Sequence, residues 1–315
     1  MEKSFAIQGL PGSYTSMALH EIYPNTQPTE IKYLEKFKYL FDAIKNGDVG
    51  HGVVAFSNTR IDAVHEPYME ITGHDNMYDY WIDGGVTIPV NHCLAMPEGG
   101  NVDTLKIVHT QEEARQQCDK FMYQLNGKVL YKPENDTALS AEIVAELNNK
   151  EHGAICSEQA AALYGLTVVR QAIQDDKINQ TRFVSFVPYE NAKAPLDADN
   201  SLTALTLSQK SGSLSRALEI IADYNVNLRT IKSRNIPDTP MQIDIITEMK
   251  IGVHDERMEL IVEELAKAGT KLHIMGSYKE TLTTLAQEPT DWQSPDVSYK
   301  AEVQSLKQLQ RRLHP

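Results

Sequence analysis

Cysteine is scarce in this chain. Cys93, Cys118 and Cys156 are the only three among 315 residues, and no two of them form a CxxC pair. A disulfide framework, a zinc finger and a dithiol redox motif are therefore not indicated, and we expect no bound metal. We interpret all three as small core residues of a protein in a reducing compartment.

Long apolar runs and excess positive charge are also lacking. No run approaches the ~18 apolar residues of a membrane span, and the start MEKSFAIQGLPGSY lacks the apolar centre of a secretory signal. We therefore expect a cytoplasmic protein without a membrane partner. The net charge of −13 disfavours nucleic acid as a partner. It still allows a small anionic substrate, because one arginine and a few backbone amides suffice to bind one.

What the sequence does contain is a regular alternation of strand and helix patterns. Short apolar runs such as FAIQ, HGVVAFSN, KIVHT and GAICS alternate with amphipathic segments such as FKYLFDAIKNG. This order is typical of an α/β fold with parallel strands. After a predicted linker at 189–201, residues 201–280 show the order βαββαβ of a ferredoxin-like module. The tail, 281–315, is predicted to contain a helix that packs on its own domain or contacts another subunit.

Polar side chains cluster at the predicted strand ends. Ligands of open α/β sheets bind at the carboxyl ends of strands, so these clusters predict one cleft between two α/β lobes. Each cluster alone has an ordinary alternative, since Ser, Thr and Asp before a helix are common N-caps. Only the whole set favours a function. It comprises Ser13, Thr15, Asn58, Thr59, Thr110, Asp136, Thr137, Thr181 and Arg182.

The predicted cleft is poor in general acids. The sequence has no HExxH or Gly-x-Ser-x-Gly motif, and GLPGSY lacks the glycine spacing of a dinucleotide-binding turn. We expect no cofactor. Hydroxyls, amides and one arginine suit a small anionic substrate whose reaction needs orientation and electrostatics more than proton transfer.

The stretch KINQTRFVSFVP, residues 177–188, places Asn179, Thr181 and Arg182 at the start of an alternating apolar strand. We expect Thr181 and Arg182 to face the cleft together, with Phe183 anchoring the strand in the core. The enzymatic interpretation depends on both side chains facing the gap between the lobes. If either points away, only a family likeness is left.

Several segments together resemble the prephenate dehydratase family. AIQGLPGSYTSMAL is similar to the opening motif of that family, and VVAFSN falls where it has a Pro-x-x-Asn-Ser turn. VHTQEEARQQC resembles its stretch ending in Gln-Cys, and NDTALSAEIVAE its Thr-Ala segment. IQDDKINQTRFVSF is similar to its Asn-x-Thr-Arg-Phe signature, and the βαββαβ module resembles its ACT regulatory domain.

This resemblance implies an architecture. A two-lobed α/β catalytic region like a type II periplasmic-binding fold would occupy 1–190. Lobe 1 would comprise about 1–85 and 170–190, and lobe 2 about 86–169. A ferredoxin-like ACT domain would follow over 201–280.

The resemblance also implies a reaction. Prephenate would lose water and carbon dioxide to give phenylpyruvate in L-phenylalanine biosynthesis, the work of a hydro-lyase. Thr181 would be the catalytic threonine that helps the C4 hydroxyl leave, and Arg182 would hold a substrate carboxylate in a bidentate pair. The other implied substrate-binding residues are Gly12, Ser13, Thr15, Asn58, Thr59, Thr110, Thr137 and Asn179.

Near the cleft the sequence departs from the family pattern. Ala55, Ser57 and Thr59 stand where proline, glutamate and serine are usual, and Gln111-Glu112 replace His-Pro. Thr59 keeps the hydroxyl. The other changes leave room for altered activity.

The resemblance implies L-phenylalanine as an effector of the ACT domain. The two effector turns are here Gly212-Ser213-Leu214 and Ser233-Arg234, the second preceded by Lys232 where glutamate is usual. Feedback is therefore a hypothesis. ACT domains commonly pair side by side, so a homodimer or homotetramer is expected.

Other functions stay open at this point. Two α/β lobes with an ACT domain would also fit a non-catalytic sensor of an amino acid or small anion. A chorismate mutase activity would need about 90 further helical residues, and the chain starts directly on the dehydratase strand, so this activity is not expected. Arogenate dehydratase activity is a further alternative.

Overall fold

The computed structural model describes most of the chain. No helix in the described residues is long and apolar enough to cross a membrane. The helix expected in the tail falls on residues 284–315, outside the described part. The described residues are 4–60, 62–125, 127–176, 178–208, 210–239 and 242–283.

The first lobe begins with strands and helices whose apolar sides are buried. The Ser13 side chain caps the first helix by accepting a hydrogen bond from the Ser16 backbone N–H at 3.2 Å. In the second helix Leu40, Phe41 and Ile44 face the core. The elements are β1 (Phe5–Gln8), α1 (Tyr14–Ile22), β2 (Ile31–Leu34), α2 (Phe37–Lys45), β3 (His51–Asn58), β4 (Asp62–Ala63), α3 (His65–Thr72) and β5 (Tyr80–Pro89), with 3-10 turns at Pro28–Glu30 and His74–Asn76.

The second lobe has its own five-stranded sheet. The three cysteines are fully buried here, and Cys93 lies opposite Cys156 in the strand ladder. The elements are β6 (Cys93–Met96), β7 (Ile107–Thr110), α4 (Glu112–Gln116), α5 (Asp119–Gln124), β8 (Leu130–Pro133), α6 (Thr137–Leu147), β9 (His152–Cys156), α7 (Glu158–Leu163) and β10 (Thr167–Arg170), in the sheet order β8-β7-β9-β6-β10.

The chain crosses between the lobes twice. It leaves the first lobe after Pro89 at the end of β5 and returns after Arg170 at the end of β10. The returning strand, β11 (Gln180–Pro188), lies antiparallel between β3 and β5, so the first lobe has the order β2-β1-β3-β11-β5. The second lobe follows the same scheme, with β6 inserted next to β9. This repeated order is that of the two-lobed, periplasmic-binding-like fold expected from the sequence.

A ferredoxin-like unit follows a 3-10 turn at Tyr189–Asn191. Its two helices bury Ala217, Ile220, Ile261 and Leu265 against one face of a four-stranded sheet. The expected βαββαβ order is confirmed. The elements are β12 (Asn200–Thr206), α8 (Ser213–Asp223), β13 (Leu228–Asn235), β14 (Ile243–Met249), α9 (Glu256–Lys267) and β15 (Lys271–Tyr278), followed by β16 (Glu280–Thr281), in the sheet order β13-β14-β12-β15.

The sheets of the ferredoxin-like unit and the first lobe are continuous. β15 pairs in parallel with β5 at Gly276 and Ile82, and β16 continues that pairing, giving one eleven-stranded sheet. A Cβ on Gly276 would lie 2.4 Å from Ile82 Cβ, so only glycine allows this approach. The core is continuous too, with Ile82, Phe186, Tyr278 and Met275 in one buried cluster.

Candidate active site

A cavity of about 270 Å³ opens between the two lobes. Elements of both lobes contribute to it. In the first lobe β1 and β3 end there and α1 and β11 begin there, and in the second lobe α4 and α6 begin there. Of the residues predicted to bind substrate or catalyse, five line it. These are Ser13, Thr15, Asn58, Thr137 and Thr181.

The hydroxyl of Thr181 is held as a hydrogen-bond acceptor. Asn58 Nδ2 donates to Thr181 Oγ1 at 2.8 Å and to Asn179 Oδ1 at 2.9 Å. The Arg60 backbone N–H in turn donates to Asn58 Oδ1 at 2.8 Å, which fixes the orientation of that amide. With its oxygen accepting from Asn58, Thr181 has its own hydrogen available for a group in the cleft.

The hydrogen-bond chain behind Thr181 continues into the second lobe. Asn179 Nδ2 donates to Gln117 Oε1 at 2.7 Å, and that same oxygen lies 3.0 Å from His92 Nε2. Burial lowers the pKa of His92 to about 4, so the ring is neutral at pH 7 and Nε2 carries the hydrogen donated to Gln117. We call this chain of His92, Gln117, Asn179, Asn58 and Thr181 the amide relay. It crosses both lobes and orients the threonine.

Two helices point their N-termini at the cleft. The N-cap of α1 is Ser13, and the N-cap of α6 is Asp136, whose Oδ1 accepts from the backbone N–H groups of Ala138 and Leu139 at 2.7 and 3.1 Å. Burial raises the pKa of Asp136 despite these hydrogen bonds. A protein carboxylate thus already occupies the α6 terminus, and the α1 terminus is the one that offers backbone amides to a substrate anion.

The charged side chains that line the cleft are acidic. Glu113 and Asp136 contribute carboxylates, and the described lining residues include no lysine or arginine. In the described residues no group of three or more His, Cys, Asp or Glu side chains could hold a metal ion. Binding of an anion here therefore depends on amides and hydroxyls.

The prediction that Arg182 faces the cleft is wrong. Its side chain, 6% exposed, lies on the opposite face of β11, where Nη2 contacts Glu248 Oε1 at 2.5 Å and Nη1 contacts Glu280 Oε1 at 2.7 Å. The reason is the two-residue period of a strand, which sends consecutive side chains to opposite faces. Thr181 and Phe183 share the cleft face, and Arg182 cannot join them.

Four other predicted binding residues do not line the cleft. The Gly12 carbonyl accepts from Ser157 Oγ at 3.1 Å and ties α1 to the second lobe. Thr59 donates to the Ile178 carbonyl at 3.2 Å on the exposed side, and Thr110 is fully buried and donates to the Ile155 carbonyl at 3.0 Å. Asn179 lies behind the wall in the amide relay. These four residues therefore contribute hydrogen bonds within and between the lobes.

Sequence reasoning missed several residues of the site. Gln117 stood in the quoted VHTQEEARQQC segment, whose likeness to the family was the available signal. For His92, nothing local in the sequence indicates a pairing with Gln117, 25 residues away. Tyr14 and Glu113 also stood in quoted segments, AIQGLPGSYTSMAL and VHTQEEARQQC, and had the same signal.

The predicted effector residues lie in two places within one chain. Gly212, Ser213 and Leu214 line a shallow pocket at the start of α8. Ser233 is exposed on β13, whereas Arg234 is buried and donates from Nη2 to Asp244 Oδ2 at 2.7 Å. Arg234 therefore belongs to an internal ion pair, and does not line the α8 pocket.

The fold and the cleft define a two-lobed α/β protein with a small-molecule site between its lobes and an attached ACT-type unit. The chain belongs to the prephenate dehydratase family, because the family model described as prephenate dehydratase matches residues 5–190, more than half of the chain. The enzyme class expected from the sequence, a hydro-lyase of L-phenylalanine biosynthesis, is confirmed by this match. The enzyme assignment thus stands on the family match; the Thr181–Arg182 pair on which the sequence argument depended does not support it.

Known proteins similar to the chain are consistent with this family. Arogenate dehydratase/prephenate dehydratase 2 of Arabidopsis thaliana is 28% identical over 289 residues, 89% of this chain and 74% of the relative. The solved prephenate dehydratase of Arthrobacter aurescens in complex with L-Phe has a TM-score of 0.71 at 18% identity, covering 98% of this chain and 99% of that one. GqqA, described as a novel type of quorum quenching acylase, has a TM-score of 0.72 at 23% identity, covering 88% and 98%. The two solved structures show the fold alone, and a different chemistry is attached to one of them.

Proposed function

We propose that the interlobe cleft converts prephenate to phenylpyruvate and that Thr181 is the catalytic hydroxyl. The observation that carries this proposal is the amide relay, which leaves Thr181 with a hydrogen to donate and an oxygen already engaged by Asn58. As the carboxylate on the ring carbon leaves as carbon dioxide, its electron pair enters the ring and the C4–oxygen bond breaks. Thr181 donates its hydrogen bond to that oxygen as negative charge develops on it, and the oxygen leaves as hydroxide, which takes a proton from solvent to become water.

The α1 terminus is proposed to orient the substrate. With Arg182 on the far face, the groups left for a substrate carboxylate are the backbone amides at Tyr14 and Thr15 and the hydroxyls of Ser13 and Thr137. Aligned helix amides stabilise an anion without any charged side chain. Binding would be weaker than to an arginine fork, and the reaction would depend mainly on positioning.

Substitution of Thr181 tests the proposal. We expect Thr181→Ala to lower kcat by at least ~10²-fold, the scale of losing one transition-state interaction, while Thr181→Ser retains most of the activity. Formation of phenylpyruvate is followed by its absorbance. Thr167→Ala, which changes an exposed threonine on β10, is the matched control and should behave as wild type. A Thr181→Ala enzyme at the wild-type rate would remove Thr181 from the mechanism.

Arogenate is proposed as a second substrate of the same cleft. It differs from prephenate in carrying an ammonium group where prephenate has a ketone. The carboxylates of Glu113 and Asp136 in the lining would attract that ammonium, and no described lining cation opposes it. The assay with Thr181 variants is therefore run in parallel on both substrates.

We propose L-phenylalanine as a feedback effector that binds at the start of α8. The support is the pocket at Gly212, Ser213 and Leu214, whose backbone amides open a helix, and the L-Phe complex of the Arthrobacter relative. The edge strand β13, with Ile231 exposed, suits pairing with a second copy, so a homodimer or homotetramer is proposed as the working assembly.

Calorimetry with L-phenylalanine tests the effector proposal. We expect measurable heat and a lower rate of turnover for wild type, and about tenfold weaker binding for Leu214→Ala, because an apolar contact of about 1.5 kcal/mol is lost. Leu196→Ala, an exposed leucine in the linker, is the control. No heat and no change in rate with wild type would reject feedback and leave the catalytic proposal standing.

A further inference from the structure

Residues 181 and 182 serve two different parts of the molecule from one strand. Thr181 lies in the cleft at the end of the amide relay, and Arg182 lies on the opposite face against the ferredoxin-like unit. Their α-carbons are adjacent in β11, so the backbone that places one side chain also places the other. A shift of β11 at Arg182 therefore also moves Thr181.

Arg182 is one member of a buried charge cluster. Its Nη2 donates to Glu248 Oε1 and to the Tyr278 hydroxyl, both at 2.5 Å, and its Nη1 donates to Glu280 Oε1 at 2.7 Å. Arg229 also belongs to the cluster, with Nη1 3.3 Å from Glu248 Oε1 and a contact from Nη2 to Glu280. Four of these five residues belong to the ferredoxin-like unit, and Arg182 is the member from the catalytic lobe.

Most of the cluster is buried, and Arg229, with a 26% exposed side chain, lies at its open edge. Arg182, Glu248 and Tyr278 are at most 6% exposed, so their interactions are little screened by solvent. Gly85 leaves the room for the guanidinium, because a Cβ there would lie 2.9 Å from Arg182 Nη2. The ladder between β11 and β3 shifts register between Arg182 and Phe183, where Phe56 is the extra residue on β3. Bulges of this kind re-aim side chains next to active sites.

We propose that Arg182 is a positioning residue, through which the placement of the ferredoxin-like unit sets the orientation of Thr181. The inference rests on the proposed role of Thr181. Glu248 and Glu280 hold the Arg182 guanidinium from the ferredoxin-like unit, and this contact fixes the position of β11. Arg182 has this role in place of the substrate contact predicted from the sequence. A change at Glu248 of β14 or at Glu280 of β16 would then alter turnover without any contact to the cleft.

The test compares substitutions of two buried carboxylates that both lie on β14. Glu248→Gln removes the charge that faces Arg182, and Asp244→Asn removes a charge of β14 that pairs with Arg234 and His74 and does not contact β11. We expect Glu248→Gln to lower kcat at least about fivefold with KM within about twofold, and Asp244→Asn to leave kcat unchanged even where the melting temperature falls.

A second comparison guards against a variant that merely folds poorly. Gly85→Ala pushes on the guanidinium without changing charge and should reproduce the loss in kcat. Gly84→Ala, whose Cβ would meet Ile22 and Ser185 on the other face, is its control. In a Thr181→Ala background, Glu248→Gln should lower kcat by a further factor of less than about two, because Thr181, the residue through which it acts, is already absent.

The outcomes separate the two proposals. Wild-type kcat in both Glu248→Gln and Gly85→Ala, with Thr181→Ala impaired, overturns the positioning role alone. Equal losses in Glu248→Gln and Asp244→Asn also overturn it, since only the first touches Arg182. An unimpaired Thr181→Ala enzyme overturns the proposed function instead.

Discussion

His92 gives the amide relay a dependence on pH. Burial lowers the pKa of His92 from an ordinary 6.5 to about 4, and its neutral ring donates to Gln117. Below pH 6.5 the unfolded chain binds a proton at this position that the folded chain does not bind until pH 4. The stability that the neutral ring provides is therefore fully present above pH 6.5 and is lost as pH falls from about 6.5 toward 4.

We expect the free energy of unfolding to fall less between pH 7 and 4.5 in His92→Gln than in wild type, by about 2 kcal/mol. Urea titrations at each pH measure it. Carboxylates titrate over the same range, so the difference between variant and wild type is the quantity of interest. His254→Gln, at an exposed histidine, should follow the wild-type curve. Parallel curves for wild type and His92→Gln would show that His92 does not titrate in this way.

At the scale of single residues, the sequence predicted part of the site. The polar set at strand ends correctly predicted Ser13, Thr15, Asn58, Thr137 and Thr181 in one cleft, because strand ends of α/β sheets converge. It could not separate the hydroxyls that face the cleft from those that hold loops, such as Thr59 and Thr110. That choice depends on register and on partners far away along the chain.

At the scale of elements, β11 connects the cleft with the charge cluster at Arg182. Its alternation was evident in the sequence, and the same alternation, applied to adjacent residues, excludes a shared face for Thr181 and Arg182. The polar set at strand ends and the family likeness both predicted the two side chains in the cleft, although strand geometry opposes it. The register shift at Arg182 was not foreseeable, since it depends on the pairing with β3.

The pairing of β15 with β5 depends on one glycine. A side chain at position 276 would come within 2.6 Å of the Ile82 carbonyl oxygen. We expect Gly276→Ala to destabilise the protein by about 2 kcal/mol, the usual cost of overpacking, and to lower activity by spreading the two strands. Urea unfolding and the dehydratase assay measure the two effects.

Gly50→Ala is the control for this substitution. Its Cβ would find its nearest neighbour, the Ser4 carbonyl oxygen, at an ordinary 3.7 Å. Wild-type stability in Gly276→Ala would mean that the strands can separate slightly without loss, and that the joint between the sheets is looser than its distances indicate.

At the scale of the whole molecule, two structural units share one sheet. The sequence predicted both units from their strand and helix patterns, and the fold class is confirmed. It did not predict that the β15 edge of one unit would pair with the β5 edge of the other, because no local pattern encodes a contact between residues 82 and 276. The charge cluster at Arg182 exists only because of that junction.

The continuous sheet also bears on whether the catalytic region could exist without the ferredoxin-like unit. Cutting the chain in the linker would strip β5 of its neighbour and leave a row of unsatisfied backbone groups beside apolar Ile82 and Val86, a template for aggregation. The catalytic region therefore does not stand as an independent unit. Its solubility depends on the ferredoxin-like unit whose strands cover the β5 edge.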